Sequence, residues 1–341
     1  MNRRDWLRWL AYVAAAAPPT ATLLLSGRQN LIAQSAGPAR SYRYIHLDVF
    51  TDRRLAGNQL LVYVNPEGLD AAAMTRLTRE SNYSENTFVF PAERPGTDFR
   101  LLIFGRSGEM PFAGHPTIGT AFALAHISRI KPRTASMVFG LGIGPTPIDL
   151  EWKGSDLALA WMTQLKPTFG KLTADVAGVA SALGLSTADI AAGHAPAAQD
   201  VSTGATYIIV PLASRKAVDA AVVDPLKLRA LRTANSLTGF AVYAFTTEPG
   251  GDGATSYSRL VPPPGIPEDP ATGSAAGPAG CFMVQHGFVA ADEAGSIVNA
   301  QGVLVRRPSQ IHVKIVSAGG EITQVKVGGA SVVIGEGTAS I

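Results

Sequence analysis

A single cysteine, Cys281, in 341 residues excludes an internal disulfide framework, a multi-cysteine zinc site and a protein-bound iron–sulfur cluster. The six histidines include no closely spaced ligand pair, so a metal site has no donor set, and Cys281 itself lies in an apolar stretch that reads as core. No Gly-x-Ser-x-Gly elbow announces a serine hydrolase. The glycines of Gly114-His115-Pro116-Thr117-Ile118-Gly119 lack the Lys-Ser or Lys-Thr of a phosphate loop. Gly140-Leu141-Gly142-Ile143-Gly144 runs into Pro145-Thr146-Pro147 rather than a helix, so a dinucleotide cradle is unsupported. Charged residues are scarce, at 16% against 46% hydrophobic, which argues against disorder and for one or two sizeable cores.

The net charge of +3 is an excess of one segment. Residues 1–35 carry Arg3, Arg4, Arg8 and Arg28 against Asp5, so the remainder is neutral and offers no basic face for nucleic acid. Residues 1–36 read as a signal peptide: a basic start, an apolar run from Trp9 to Ala17 and a small-residue exit at Ala33-Gln34-Ser35-Ala36. Pro18-Pro19 interrupts the apolar stretch well short of the roughly 20 residues of a stable membrane span. Asn2-Arg3-Arg4-Asp5-Trp6-Leu7-Arg8 resembles a twin-arginine signal, which implies the export machinery as a partner and a periplasmic or secreted product after cleavage.

The body reads as two α+β halves, 42–160 and 161–335, whose last strand can return to the first. Alternation predicts strands over Tyr42–Phe50, Leu60–Val64, Thr87–Phe90 and Phe99–Phe104, with a helix from Asp70 to Asn82. A punctuated loop from Gly108 to Pro116 feeds an apolar helix, Thr117 to Ile130, without charge until Arg129. The second half repeats the plan, with strands at 156–162, 206–210, 240–245 and 257–261 and helices near 171–183 and 225–236. Asp269-Pro270-Ala271-Thr272-Gly273-Ser274 then leads into a second apolar helix ending near Gln285. The end is all strand, at 311–316, 322–327 and 331–334. Residues 132–147 and 193–199 lack a readable pattern.

The two apolar helices begin with the same device. Gly114, His115, Gly273 and Ser274 place backbone N–H groups at helix starts, where the dipole favours an anion. They are either ordinary helix starts or, if the two meet, a clamp for one carboxylate. Glu85, before residues that enter a core, is either a loop residue or a partly desolvated carboxyl suited to proton transfer. His115, where the dipole disfavours the cation, reads as a structural histidine or a neutral relay. Asp269 reads as a loop cap, an orienter of a substrate amine or a second acid/base group, and Ser274 as a helix cap or a donor to a carboxylate.

These residues lie in motifs that resemble the phenazine-biosynthesis PhzF-like isomerase family, which shares the diaminopimelate epimerase-like fold. The match runs from Asp48-Val49-Phe50-Thr51-Asp52-Arg53 through Ala56-Gly57-Asn58, Ser84-Glu85 and Thr87-Phe88. It continues through Pro111-Phe112-Ala113-Gly114-His115-Pro116-Thr117-Ile118-Gly119-Thr120 and Glu268-Asp269-Pro270-Ala271-Thr272-Gly273-Ser274-Ala275 to Gln301-Gly302 and Arg307-Pro308-Ser309. The resemblance implies two pseudo-symmetric domains, each a barrel-like β arrangement around a central helix, with the site between them. It further implies a cofactor-independent homodimeric isomerase in which Glu85 moves the proton. His115, Asp269 and Ser274 would then surround a small carboxylate substrate held by the N–H groups near Gly114, His115, Gly273 and Ser274. No second acidic partner for Glu85 is evident, which favours a one-base isomerase. The alternatives are an exported carboxylate-binding protein without catalysis and an amino-acid racemase or epimerase. Leu102-Ile103-Phe104-Gly105-Arg106 departs from the family's Arg-x-Phe-Thr-Pro, as does Arg259-Leu260-Val261 from a similar strand, which leaves the substrate open.

Overall fold

The computed structural model describes residues 40–341 except 192, 194 and 195. The expected signal peptide lies outside them. In the first half, β1 (Ser41–Val49), β2 (Asn58–Val64), α1 (Ala71–Ser81), β3 (Glu85–Pro91), β4 (Phe99–Gly105) and β5 (Gly108–Met110) lead to α2 (Gly114–His126). The half closes with β6 (Ser136–Leu141), β7 (Gly144–Lys153) and β8 (Asp156–Thr163). The second half runs β9 (Thr168–Thr173), α3 (Val176–Ala182), β10 (Ala198–Ser202), β11 (Thr206–Pro211), α4 (Arg215–Ala220), α5 (Pro225–Asn235), β12 (Val242–Thr246) and β13 (Ser256–Val261). It continues through α6 (Gly273–Gln285), β14 (Ile297–Gln301), β15 (Ser309–Ala318), β16 (Glu321–Gly329) and β17 (Ser331–Ser340).

Strand pairing makes the repeat explicit. From β1, the ladder β1-β2-β3-β4-β6-β7-β8 alternates antiparallel, parallel, antiparallel, parallel, then antiparallel twice. The ladder β10-β11-β12-β13-β14-β15-β16 follows the same series. The 13-residue helix follows the fourth strand of each ladder, α6 directly after β13 and α2 after β4 and its short hairpin partner β5, and the two ladders join edge to edge through β8 and β16. The closing strands are exchanged: β9 follows β8 but pairs with β10, while β17 follows β16 but pairs with β1. The fold is thus α+β and pseudo-symmetric.

The central helices are buried because they carry nothing that needs water. Gly114 through Leu124 are all buried, and so are ten of the first eleven residues of α6, Ser274 being the exception. Ile118, Ala121, Phe122, Phe282 and Cys281 share one core with β-strand residues such as Leu47, Leu60, Phe139 and Val313. Burial pushes the Cys281 thiol up to about 12, so it remains a neutral core group.

Several element boundaries move. The helix expected from Thr117 begins at Gly114, because Pro116 falls in the first turn, where its missing N–H has no intrahelical partner to lose. It ends at His126, followed by Ser128 in the left-handed region. Residues 171–173, expected as helix, finish β9 against β10, and α3 starts only after Asp175, whose side chain caps Gly178 N. The unpatterned stretch after Pro132 is the β6–β7 hairpin, in which Leu141 pairs with Gly144 and Gly144 takes φ +117°. The alternating glycines therefore serve a two-residue turn.

Candidate active site

Asn58 opens β2 and is 2% exposed. Gly57 before it must be glycine, since its φ is +67° and an added Cβ would lie 2.3 Å from the Val49 carbonyl oxygen. The Asn58 amide nitrogen donates to Asp269 Oδ1 at 2.7 Å and to the Ala271 carbonyl at 3.0 Å, and it faces His115 Nδ1 at 3.2 Å. The first two partners are obligate acceptors, so the amide orientation is set. It follows that His115 Nδ1 accepts and that its ring proton sits on Nε2.

Glu85 is the first residue of β3, paired with Gly105 of β4. Its Oε2 lies 3.6 Å from His115 Nδ1, and 17% of its side chain remains open to solvent. Burial, and after it the charge of Asp269, push this carboxyl up to about 8, with Arg106 opposing. Burial raises the Asp269 carboxyl as well, against hydrogen bonds from Thr272 Oγ1 (2.7 Å), Asn58 (2.7 Å) and Ser84 Oγ (3.2 Å). Three donors solvate an ion on Asp269, so the proton this pair retains resides on Glu85.

His115 is 4% exposed, and burial takes its imidazole down to about 3 against a backbone interaction with Gln59. The ring is neutral, as expected, but burial leads the cause rather than the helix dipole. Its Nε2 is buried without a hydrogen-bond partner among the described residues.

The two helix starts meet. A Cβ on Gly114 would stand 2.8 Å from the Cα of Gly273 and 2.9 Å from the backbone nitrogen of Ser274. Neither N-cap, Ala113 or Thr272, makes a side-chain cap bond. The first-turn N–H groups of both helices thus lack the usual carboxylate or hydroxyl acceptor. Ser274 is no cap: its Oγ lies 2.7 Å from the hydroxyl of Tyr207.

The residues that build this cluster fall within one family's pattern. The phenazine biosynthesis-like family, PhzC-PhzF, matches residues 47–337. The chain belongs to that family. It is 33% identical over 301 residues to a trans-2,3-dihydro-3-hydroxyanthranilate isomerase of Pseudomonas chlororaphis, covering 87% of this chain and 99% of the relative. It is 35% identical over 300 residues to an uncharacterized isomerase of Mesorhizobium japonicum, covering 86% and 97%. A crystal structure of a PhzF-family phenazine biosynthesis protein from Bacillus anthracis superposes with TM-score 0.77 at 22% identity, covering 89% of this chain and 100% of the other. The protein is therefore an isomerase of the PhzF family with an epimerase-like fold.

In this PhzF-family chain, Glu85, His115 and Asp269, singled out from sequence, gather around Asn58, and Ser274 joins them at the Gly114–Gly273 contact. Asn58 itself stood only in the Ala56-Gly57-Asn58 motif, without a role. Ser84 and Gln301 stood in the quoted motifs without a role. Gln301, fully buried, donates to the Asp269 carbonyl (2.9 Å) and to Thr272 Oγ1 (3.0 Å) while accepting from Thr272 N (3.0 Å), which fixes the loop carrying Asp269. Arg307 does the same for Asn58: its Nε and Nη2 donate to the Gly57 and Ala56 carbonyls, both at 2.7 Å, and it pairs with Asp48. Tyr207 carried no signal, because strand alternation gives it the same inward face as Ile209.

Proposed function

We propose that the protein is a cofactor-independent isomerase in which Glu85 carries one proton between two carbons of a small amino carboxylate. The observation that carries the reading is the convergence of Glu85, His115 and Asp269, from both halves, beside two abutting uncapped helix starts. The N–H groups of Gly114, His115, Gly273 and Ser274 receive the substrate carboxylate, where aligned peptide dipoles are worth most in a site without bulk water. Ionised Asp269 faces the amine. Ionised Glu85 removes a C–H proton, the electron pair shifts the double bond, and the protonated Glu85 returns a proton to the far carbon, restoring its charge. Neutral His115 presents its unprotonated Nδ1 toward Oε2, so it faces the protonated carboxyl as an acceptor and offers the ionised form no donor.

A pKa near 8 suits this task, since a carboxyl near its usual 4.5 would be too weak a base for carbon acids. Two-base epimerisation is less well supported, because Asp269 is already engaged by three donors. The test is native mass spectrometry of the purified protein for a retained ligand, followed by NMR of that compound with enzyme. A new positional isomer supports the reading; inversion at one carbon supports an epimerase, and tight binding without change supports the non-catalytic alternative.

The leader and the family resemblance extend the proposal to a periplasmic homodimer. Peptide mass mapping of the periplasmic fraction should find a mature start near Ala36, and light scattering should give twice the protomer mass. A cytoplasmic chain retaining Met1, or a monomer, would refute the corresponding part.

A further inference from the structure

One side chain at the helix contact has a partner that the mechanism above does not use. Ser274 is the second residue of α6, and its backbone nitrogen stands 2.9 Å from a Cβ built on Gly114, so it lies where the two helix starts meet. Its hydroxyl bonds out of its own helix, with Oγ 2.7 Å from the phenol oxygen of Tyr207 on β11. Neither hydroxyl has a second hydrogen-bond partner among the described residues. Tyr207 has little freedom to move. It pairs with Val201 of β10, is 3% exposed, and packs its ring against Phe240 with centroids 4.6 Å apart. Phe240 is anchored beside it by an N–H donated to the Thr206 carbonyl at 3.2 Å.

Two hydroxyls joined by one hydrogen bond have one further proton between them, and burial decides which oxygen carries it. If Ser274 donated, that proton would sit on a phenol sealed from water without an acceptor, which is the costlier arrangement. Burial also pushes the phenol above its ordinary value of 10, so Tyr207 keeps a proton to donate. Ser274 is the one residue among the first eleven of α6 that is not buried, so its own proton is free on the open side of the Gly114–Gly273 contact. We propose that Tyr207 is a positioning residue: by fixing the Ser274 hydroxyl it adds one side-chain donor of set direction to the N–H groups that receive the substrate carboxylate. This rests on the helix starts holding that carboxylate.

Benzoate, a small carboxylate with no other charge, is the probe, titrated calorimetrically into the intact wild type, Tyr207→Phe, Ser274→Ala and the double variant. Tyr207→Phe removes one oxygen and keeps the ring. It should weaken benzoate binding about fivefold, because the Ser274 hydroxyl is then free to rotate. Ser274→Ala should weaken it about tenfold. In the Ser274→Ala background, adding Tyr207→Phe should change the affinity by less than about twofold, since the phenol no longer has a hydroxyl to orient. Equal losses in both backgrounds, which repacking of the ring would give, or undiminished binding by Tyr207→Phe, would overturn the inference and leave the carboxylate clamp standing. Failure of wild type to bind benzoate would overturn the clamp and this inference with it.

Discussion

The amide nitrogen of Asn58 stands 2.7 Å from Oδ1 of Asp269, a hydrogen bond between the second strand of one half and the helix-entry loop of the other. Asn58 is buried and Asp269 half-buried, and the same nitrogen reaches His115. Asn58 therefore holds an ionised Asp269 and a neutral imidazole in register. Replacing it by alanine leaves Asp269 with two side-chain donors and should cost about 1–3 kcal/mol in stability, with a larger loss in kcat/KM. Urea denaturation and a single-substrate rate check this; a variant within 0.5 kcal/mol of wild type would mean that the bond is incidental.

Activity should rise with pH. With a carboxyl near 8, only about a tenth of Glu85 is ionised at pH 7, so kcat/KM should climb almost tenfold from pH 6 to 7 and level off above 8. Because the neighbouring Arg106 opposes that shift, Arg106→Gln should move the midpoint upward. A flat profile from pH 6 to 9 would contradict the assignment.

Stability carries the opposite slope. The folded carboxyl of Glu85 is raised above its unfolded value of 4.5, so its contribution is fully present below about pH 4.5 and is lost as pH passes through about 8. Glu85→Gln removes the buried charge and should be more stable than wild type at pH 9 by about 1–3 kcal/mol, with little gain at pH 5. Denaturation curves at the two pH values decide it.

The touching helix starts predict a steric pair. Gly114→Ala meets Gly273 and Ser274 backbone below 3.0 Å and should cost about 1–3 kcal/mol while abolishing carboxylate binding. Gly295→Ala, with nothing within 4 Å, should be neutral to about 0.5 kcal/mol. Equal effects at the two positions would remove the case for a close helix contact.

Much of this was legible in residue order. The absence of charge from Gly114 to Leu124 marked a buried helix, and Asp70 before Ala71 marked a cap that the structure contains, with its side chain accepting from Ala73 N. The β6–β7 hairpin was not legible, because Pro145, Pro147 and alternating glycines break a strand pattern that pairing with β8 nevertheless sustains. Among site residues, Glu85, His115, Asp269 and Ser274 announced themselves by sitting at element starts. Asn58 and Tyr207 did not, since a buried amide and a strand tyrosine acquire their roles only from partners 211 and 67 positions away. The exchange of β9 and β17 between halves is likewise invisible to local patterning.

The most direct measurement is NMR-monitored wash-in of solvent deuterium to the retained ligand over many turnovers by wild type and Glu85→Gln. The 17% of the Glu85 side chain left open lets its proton exchange with water between transfers. Wild type should place deuterium on carbon, and the variant should bind the compound yet place none. Full incorporation by a folded Glu85→Gln would contradict the account.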